Sequence, residues 1–297
     1  HSKQTGLEEL NTHRQQFVHA LATFFPKMKL STDGLIIREQ QTGEDDRLVT
    51  ILTRDYGVLR AFVRGAKRIK SKSQSATQLF AYGKFSIYRG KDAYSIDEAQ
   101  PIEIFFDLRN DIEALSLAQY FCELAGELAP VEDDADEYLK LVLNALHMLS
   151  KNKRSHAQLK AIVELRMMSL SGYMPDLVAC GDCEEFSDDG MFFSPVEGQI
   201  FCKECVSDHT CIKLPNGVLS AMRHICYVDS TKLFSFTLPH ESLDFLTQVT
   251  ENFLLTQTAK KFKNGKYSGA PIRRALLTAK QAESRKSLGI PLKAQVL

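Results

Sequence analysis

The sequence lacks the signals that place a chain in or across a membrane. It contains no uninterrupted apolar run of the roughly 18 residues that a membrane-spanning helix needs. Residues 1–27 show no basic start, apolar middle and small-residue cleavage site of a secretory signal. We therefore expect a cytoplasmic protein, in which the seven cysteines are thiols or metal ligands rather than disulfides.

Motifs of the common nucleotide-dependent and hydrolytic enzymes are also missing. The sequence has no GxxxxGK[ST] phosphate loop, no GxGxxG fingerprint after a strand and no HExxH metalloprotease motif. It has no GxSxG turn of the kind that holds a nucleophilic serine. A hydrolase whose residues converge from distant segments stays an alternative, but the sequence favours a protein that is not an enzyme.

Net charge is absent too, since 37 basic residues balance 37 acidic ones, yet the charges occur in blocks. Residues 60–72 carry six basic residues and no acid, residues 132–137 carry five acids and no base, and residues 260–297 carry ten basic residues and one acid. Blocks of like charge are usually solvated faces or loose tails. We expect this for the acidic block, as a loop and first helical turn, and for the C-terminal segment, which glycines and prolines interrupt.

Five short runs rich in β-branched and aromatic residues lie between residues 35 and 105, with turn signals between them. Such spacing indicates a small sandwich or barrel, and a five-stranded barrel of the OB type is one that commonly binds oligonucleotides. The basic block follows the third run, where it suits a phosphate backbone; a solubilising loop is the alternative. The candidate DNA-binding residues are Arg60, Arg64, Lys67, Arg68, Lys70 and Lys72.

Single strands also need aromatic side chains on which bases stack. The candidates in the strand-rich segment are Phe62, Phe80, Tyr82, Phe85, Tyr88 and Tyr94. Most are expected in the core, because only alternate residues of a strand point outward. Phe80, Tyr82 and Tyr88 share one parity and Phe85 has the other, and parity alone does not tell which set is solvated.

Two CxxC pairs, Cys180/Cys183 and Cys202/Cys205, are separated by 18 residues, within the spacing of four-cysteine zinc sites. Two thiolates three positions apart in a turn face one ion, and two such turns complete a tetrahedron. The intervening residues read as a hairpin, so the layout is that of a zinc ribbon. Free thiols are the weaker alternative. A redox dithiol needs only one CxxC pair, so the second pair counts against a redox role. Four protein ligands leave no open position, so the metal is expected to be one structural Zn²⁺.

Helical spacing of apolar residues replaces the strand pattern from residue 108 onward. We therefore predict an α+β fold: an N-terminal OB-type β-barrel followed by an α-helical domain that carries the inserted four-cysteine zinc ribbon. The predicted segments are an N-terminal extension of unknown role (1–27), an OB-fold DNA-binding domain (28–107), a helical domain (108–267) with the zinc module at 177–211, and a basic C-terminal tail (268–297).

Several short motifs, taken in their order along the chain, resemble the bacterial recombination mediator family RecO. They are Leu35-Ile36 to Asp46-Arg47-Leu48, then Arg64-Gly65-Ala66-Lys67-Arg68 before Leu79-Phe80, then the segment from Leu170 to Pro175 leading into Cys180-x2-Cys183, and finally Phe193-Ser194 to Gly198 before Cys202-x2-Cys205. The resemblance covers residues 28–267. The segments outside that range depart from the family pattern.

The resemblance implies a protein that breaks no bonds and acts in DNA repair and recombination. Such proteins bind single- and double-stranded DNA and anneal complementary strands. With RecR they help to load RecA onto strands coated by single-strand-binding protein, whose C-terminal tail contacts the helical domain. In this sequence Arg64, Lys67 and Arg68 match the family's DNA-contacting loop, and the four cysteines match its zinc ligands. The implied location is the bacterial cytoplasm, at the nucleoid.

Two hypotheses of other classes stay open at this stage. A protein-interaction scaffold would use the zinc ribbon to dock on a partner and the basic loop only for solubility. A zinc-dependent hydrolase or deaminase would need a metal with an open coordination position. DNA binding distinguishes the first from a mediator, and the ligand set of the metal distinguishes the second.

Overall fold

The N-terminal part of the chain forms a closed five-stranded β-barrel. The computed structural model describes residues 28–42, 44–65, 74–90, 93–207, 210–263 and 270–287. The strands are β1 (Met28–Thr42), β2 (Asp46–Thr53), β3 (Val58–Val63), β4 (Ala81–Arg89) and β5 (Tyr94–Ile104). Their order around the barrel is β1-β2-β3-β5-β4, with β3 and β5 parallel and the other neighbours antiparallel. This confirms the predicted OB-type barrel.

The long first strand closes the barrel by pairing on both sides. Its first half pairs with β4 and its second half with β2. Both partners meet at Gly34, where an added Cβ would lie 2.7 Å from the Ile51 side chain. Because side chains alternate along a strand, Leu35 and Ile37 face the helices while Ile36 lies in the barrel core. One strand therefore serves two cores.

Six α-helices, two short helical segments (Phe106–Asn110 and Ser169–Tyr173) and a small sheet follow in the rest of the described chain. The helices are α1 (Ile112–Leu128), α2 (Asp136–Ser150), α3 (His156–Met168), α4 (Asn216–Tyr227), α5 (His240–Lys263) and α6 (Ala270–Ser287). Between α3 and α4 lie the strands β6 (Asp176–Cys180), β7 (Phe192–Ser194), β8 (Gln199–Phe201) and β9 (Ile212–Lys213), in the order β6-β8-β7-β9. Among the described residues, no helix combines the length and apolar composition that crossing a bilayer requires.

The C-terminal helix α6 corrects the prediction of a loose basic tail for residues 270–287. Ile272, Leu276, Ala279 and Ala282 recur at helical spacing and are buried, and α6 packs on α1. Pro271 lies in the first turn, where a missing N–H costs nothing. The proline that suggested an interruption thus marks a helix start. Residues 264–269 and 288–297 lie outside the described residues, as does the N-terminal extension 1–27.

The acidic block connects the two domains. It forms a loop and the first turn of α2, as predicted, but it is more than a solvated face. The backbone N–H of Glu132 donates to Tyr56 at 3.1 Å, and that of Ala135 donates to Arg54 at 2.8 Å. The Glu132 carboxylate also pairs with Arg89 at 3.3 Å. Part of the acidic charge therefore faces basic residues of the barrel.

A charged group lies inside the helical core. Lys160 on α3 is 2% exposed and lies 2.9 Å from both Glu164 and Glu251. Glu164 is fully buried and also accepts hydrogen bonds from the hydroxyls of Tyr120 and Thr250, each at 2.7 Å. We call these five residues the buried charge network. It joins α1, α3 and α5, and Lys280 of α6 pairs with Glu251 at its edge.

Candidate metal centre and nucleic-acid interface

The four cysteines come together at two turns of the small sheet. Cys180 ends β6 and Cys183 follows in the next turn, while Cys202 follows β8 and Cys205 lies in the turn after it. All four sulfur atoms lie within 4.8 Å of one another, and Cys183 Sγ is 3.7 Å from Cys202 Sγ. A tetrahedron with metal–sulfur bonds of about 2.3 Å has sulfur–sulfur edges of about 3.8 Å. The residues therefore fit a single closed tetrathiolate site.

The electrostatics of the cluster also suit a cation. Burial raises the pKa of Cys180, but backbone N–H groups of Cys183, Cys202 and Asp182 donate to its sulfur, and the pKa falls to about 6. The neighbouring Cys183 sulfur raises the pKa of Cys205 above its ordinary value. Four sulfurs at this spacing repel one another once they ionise. A positive ion at the centre would remove that repulsion, so the donor set suits a metal ion.

The cysteine module is held against the helical domain. The β7–β8 hairpin places Phe193 edge-on against Phe253 of α5, with ring centroids 5.5 Å apart. On the other side Arg223 of α4 donates to the carbonyls of Leu177 at 2.7 Å and Ser187 at 3.1 Å. The module is thus a braced part of the fold, which suits a structural metal.

Three cysteines lie outside the four-sulfur cluster. Burial raises the pKa of Cys122, and it raises that of Cys226 to about 11. Both are buried in helices. Cys211 is not part of the cluster, although it follows the second CxxC pair closely in the sequence.

Two of the six predicted DNA-binding cations lie on the described barrel. Arg60 points outward from β3 and Arg64 lies in the turn after it, and both are exposed. Neither forms an ion pair with any residue that the structure describes. Gly65 adopts a φ of +61° in this turn. Its backbone N–H donates to the Asp46 carboxylate at 2.8 Å, which fixes the turn. Lys67, Arg68, Lys70 and Lys72 lie outside the described residues.

The aromatic candidates separate by exposure. Phe80 and Phe85 are buried, and Tyr82, Tyr88 and Tyr94 are partly buried. Phe80 shares the parity of Tyr82, and both pack into the core between barrel and helices, where Phe80 is fully buried. Phe62 on β3 is 37% exposed. It is therefore the most accessible aromatic ring of the six.

Phe62 lies in a cleft between the barrel and the helical domain, which we call the barrel groove. Its volume is about 760 Å³. Leu48, Arg60 and Phe62 line it on the barrel side, and Gly126 and Val131 line it on the other side. Four further polar side chains that line it are Arg38, Arg89, Tyr94 and Glu132. The groove combines cations with an exposed aromatic ring, the two features that single-strand binding requires.

Sequence reasoning did not predict Arg38 and Arg89 as site residues. Both lie outside the basic block, Arg38 on β1 and Arg89 on β4. Strand alternation is the only local signal that they point outward. That they line the same groove as Arg60 follows from barrel closure, which no local pattern encodes.

Comparisons with known proteins agree with this architecture. Residues 28–105 match the family model described as Recombination protein O N terminal, and residues 109–266 match that described as Recombination protein O C terminal. The chain is 34% identical over 234 residues to the DNA repair protein RecO of Acetivibrio thermocellus, covering 78% of this chain and 93% of that protein. It is 27% identical over 241 residues to the DNA repair protein RecO of Symbiobacterium thermophilum, covering 80% and 95%. Helix α6 lies beyond the residues that the family models match.

Proposed function

Because the chain belongs to the RecO family of DNA repair proteins, we propose that it is a DNA-binding recombination mediator. It binds and anneals single-stranded DNA and assists the loading of RecA, and it breaks no covalent bond itself. The observation that carries the proposal is the pair of exposed arginines, Arg60 and Arg64, which form no ion pair among the described residues and lie on an OB-like barrel at the start of the basic block.

Annealing is a task that such a surface performs without a nucleotide cofactor. Two complementary strands repel each other through their phosphates, and cations that contact those phosphates release condensed counterions. A chain with no net charge but a concentrated basic loop offers local attraction to DNA while its other surfaces stay neutral. The barrel then holds a strand without reading its sequence, as annealing of arbitrary sequences requires.

The proposed cofactor is one structural Zn²⁺ held by Cys180, Cys183, Cys202 and Cys205. Tetrahedral thiolate sets suit zinc or iron–sulfur centres, and the single compact cluster of four sulfurs fits one ion. The metal would stabilise the small sheet and take no part in chemistry, since all four positions are filled by protein.

The proposed partners follow from family membership. They are single- and double-stranded DNA, RecR, and the C-terminal tail of single-strand-binding protein, with RecA served indirectly. This would place the protein at the bacterial nucleoid, where its DNA lies.

Removing three loop cations together tests the DNA assignment. We expect the variant Arg64→Ala/Lys67→Ala/Arg68→Ala to bind single-stranded oligonucleotides about ten- to a hundredfold more weakly. Its slope of log affinity against log salt should shrink by about two, since each lost phosphate contact removes about 0.7 on a single strand. Fluorescence anisotropy of a labelled oligonucleotide at several salt concentrations measures both quantities.

The matched control removes three cations from the helical domain: Lys140→Ala/Lys151→Ala/Lys153→Ala. It changes net charge by the same amount and should retain near wild-type affinity and slope. If both triple variants bind alike, the loop assignment is wrong. If the wild-type protein does not bind DNA at low salt, the scaffold hypothesis becomes the better account of the zinc ribbon.

A further inference from the structure

The arginines of the barrel groove are held by carboxylates of the helical side. Arg89 pairs with Glu132 at 3.3 Å, and Glu132 also accepts a hydrogen bond from the Tyr94 hydroxyl. Arg38 pairs with Glu123 of α1. Arg60 is the groove arginine without an ion pair among the described residues. In the free protein, two of the three groove cations are therefore occupied by the chain's own acids.

Carboxylate and phosphate oxygens satisfy a guanidinium in the same way. Both present oxygen atoms to the planar fork of an arginine, and both carry negative charge. The site between Arg89 and Tyr94 that Glu132 fills is therefore also a site for a phosphate oxygen. Across the groove, the charges of Arg38, Arg60 and Arg89 are balanced by those of Glu123, Glu127 and Glu132.

We propose that the barrel groove is a binding track for single-stranded nucleic acid in which Glu123 and Glu132 act as built-in competitors for the phosphates. In this proposal a base stacks on Phe62 while phosphates displace the two carboxylates from Arg38 and Arg89. The inference rests on the proposed DNA-binding function and adds its regulation. The acidic block, which sequence patterns assigned to solvent, then lowers the affinity of the groove.

Competition of this kind requires pairs that open readily. The side chains of Arg89 and Glu132 are 53% and 48% exposed, and those of Arg38 and Glu123 are 54% and 25% exposed. Exposed ion pairs contribute little to stability because water and salt screen them. A polyanion can therefore exchange for them at small cost, whereas a buried pair would keep the groove closed.

A peptide is the other class of ligand that a groove of this size admits. The exposed aromatic ring beside three arginines favours nucleic acid, since bases stack on aromatic faces while phosphates take the cations. Continuity supports the same choice, because Arg60 lies both in the groove and on β3, which precedes the rest of the basic block in the sequence.

The first test neutralises one competitor. We expect Glu132→Gln to tighten binding of a labelled oligothymidine roughly two- to fivefold, the range that corresponds to an exposed ion pair. The matched control is Glu137→Gln, in the same acidic block, which pairs with Lys140 of α2 and does not line the groove. It removes the same charge and should change affinity by less than about 1.5-fold.

The second test separates single strands from duplex. Removing a stacking platform costs roughly five- to a hundredfold in single-strand affinity, so we expect Phe62→Ala to weaken oligothymidine binding within that range. Duplex binding should change by less than about twofold, since paired bases are not free to stack on a side chain. Phe62 is partly exposed, so the variant should fold, and its melting curve verifies this.

The outcomes distinguish this inference from the proposed function. If the loop triple variant loses DNA while Glu132→Gln and Phe62→Ala bind as wild type does, the groove proposal is overturned and the mediator proposal stands. If Glu132→Gln tightens duplex and single strands equally and Phe62→Ala has no effect, the groove is not a single-strand track. If no variant or wild-type protein binds DNA, the proposed function itself fails.

Discussion

Replacing Cys180 with serine is expected to remove the bound metal and unfold the small sheet. A serine hydroxyl is a poor ligand at neutral pH, so three sulfurs remain where four are needed. Structural zinc contributes roughly 10–16 kcal/mol in zinc-finger peptides, and that binding energy is folding energy. The strands β7, β8 and β9 have only two or three residues each. Without the metal, the two cysteine turns are no longer joined, and the contacts of Phe193 and Arg223 with the helical domain are left to hold strands that have little hydrogen bonding of their own.

Two measurements detect this result. Metal analysis should give one Zn²⁺ per wild-type chain and almost none for Cys180→Ser or Cys202→Ser. Amide exchange should rise across β7 and β8 in both variants, while the barrel strands stay protected. Replacing the metal by Co²⁺ in the wild type should produce the absorption of a tetrathiolate. A spectrum with a water ligand would instead support the hydrolase or deaminase hypothesis.

The matched control for the metal site is Cys211→Ser. Cys211 lies in the same module, six positions after Cys205, but outside the four-sulfur cluster. This variant should keep its metal and its exchange pattern. Loss of metal from Cys211→Ser, with retention in Cys180→Ser, would mean that the ligand set is misassigned.

The four-cysteine cluster was predictable from sequence because its information is local. A CxxC turn brings two sulfurs together within four residues, and the spacing of two such turns is itself a signature. The barrel was predictable for a related reason: alternation and turn residues mark each strand within a few positions. Both predictions depend on short stretches of chain, so tertiary context changed neither of them.

The features that sequence reasoning missed depend on contacts between distant segments. Whether a charge on the acidic block is solvated depends on what faces it, and Arg89 lies 43 positions from Glu132. The stacking candidates Phe80 and Tyr82 share a face, as their parity indicated, but the helical domain packs on that face and buries Phe80. The helical periodicity of α6 was present in the sequence. The basic charge of the segment and its proline nevertheless led to the prediction of a loose tail.

The replacement Lys160→Met is expected to destabilise the protein by about 3–5 kcal/mol, the usual cost of removing one partner from a buried ion pair. Methionine fills nearly the same volume as lysine, so the cost comes from charge and not from a cavity. Glu251 keeps Lys280 as a cation, but Glu164 is fully buried and has Lys160 as its only ion-pair partner among the described residues. Its carboxylate is then left in the core with two hydroxyl donors, Tyr120 and Thr250.

The pH dependence of stability identifies the mechanism. Burial lowers the pKa of Lys160, but Glu164 and Glu251 outweigh burial and raise it above 10.5. A raised lysine pKa stabilises the folded wild type below pH 10.5, and this contribution is lost as the pH rises through the folded-state pKa. Burial raises the pKa of Glu251, but Lys280 and Lys160 outweigh it and lower the pKa below 4.5. That contribution is present above pH 4.5 and is lost as the pH falls through the folded-state pKa.

Lys160→Met should therefore approach wild-type stability as the pH is lowered from about 8 to about 5, because an orphaned buried carboxylate has a raised pKa and is stabilised by protonation. Urea midpoints at both pH values measure this. The double variant Lys160→Met/Glu164→Gln removes the orphaned charge and should recover part of the loss at pH 8. Lys140→Met, which removes an exposed lysine paired with Asp136 and Glu137 on α2, is the control and should cost less than about 1 kcal/mol at either pH. Lys160→Met could instead lose the same stability at both pH values, with no recovery on adding Glu164→Gln. That result would show that packing rather than charge holds α3 against α5.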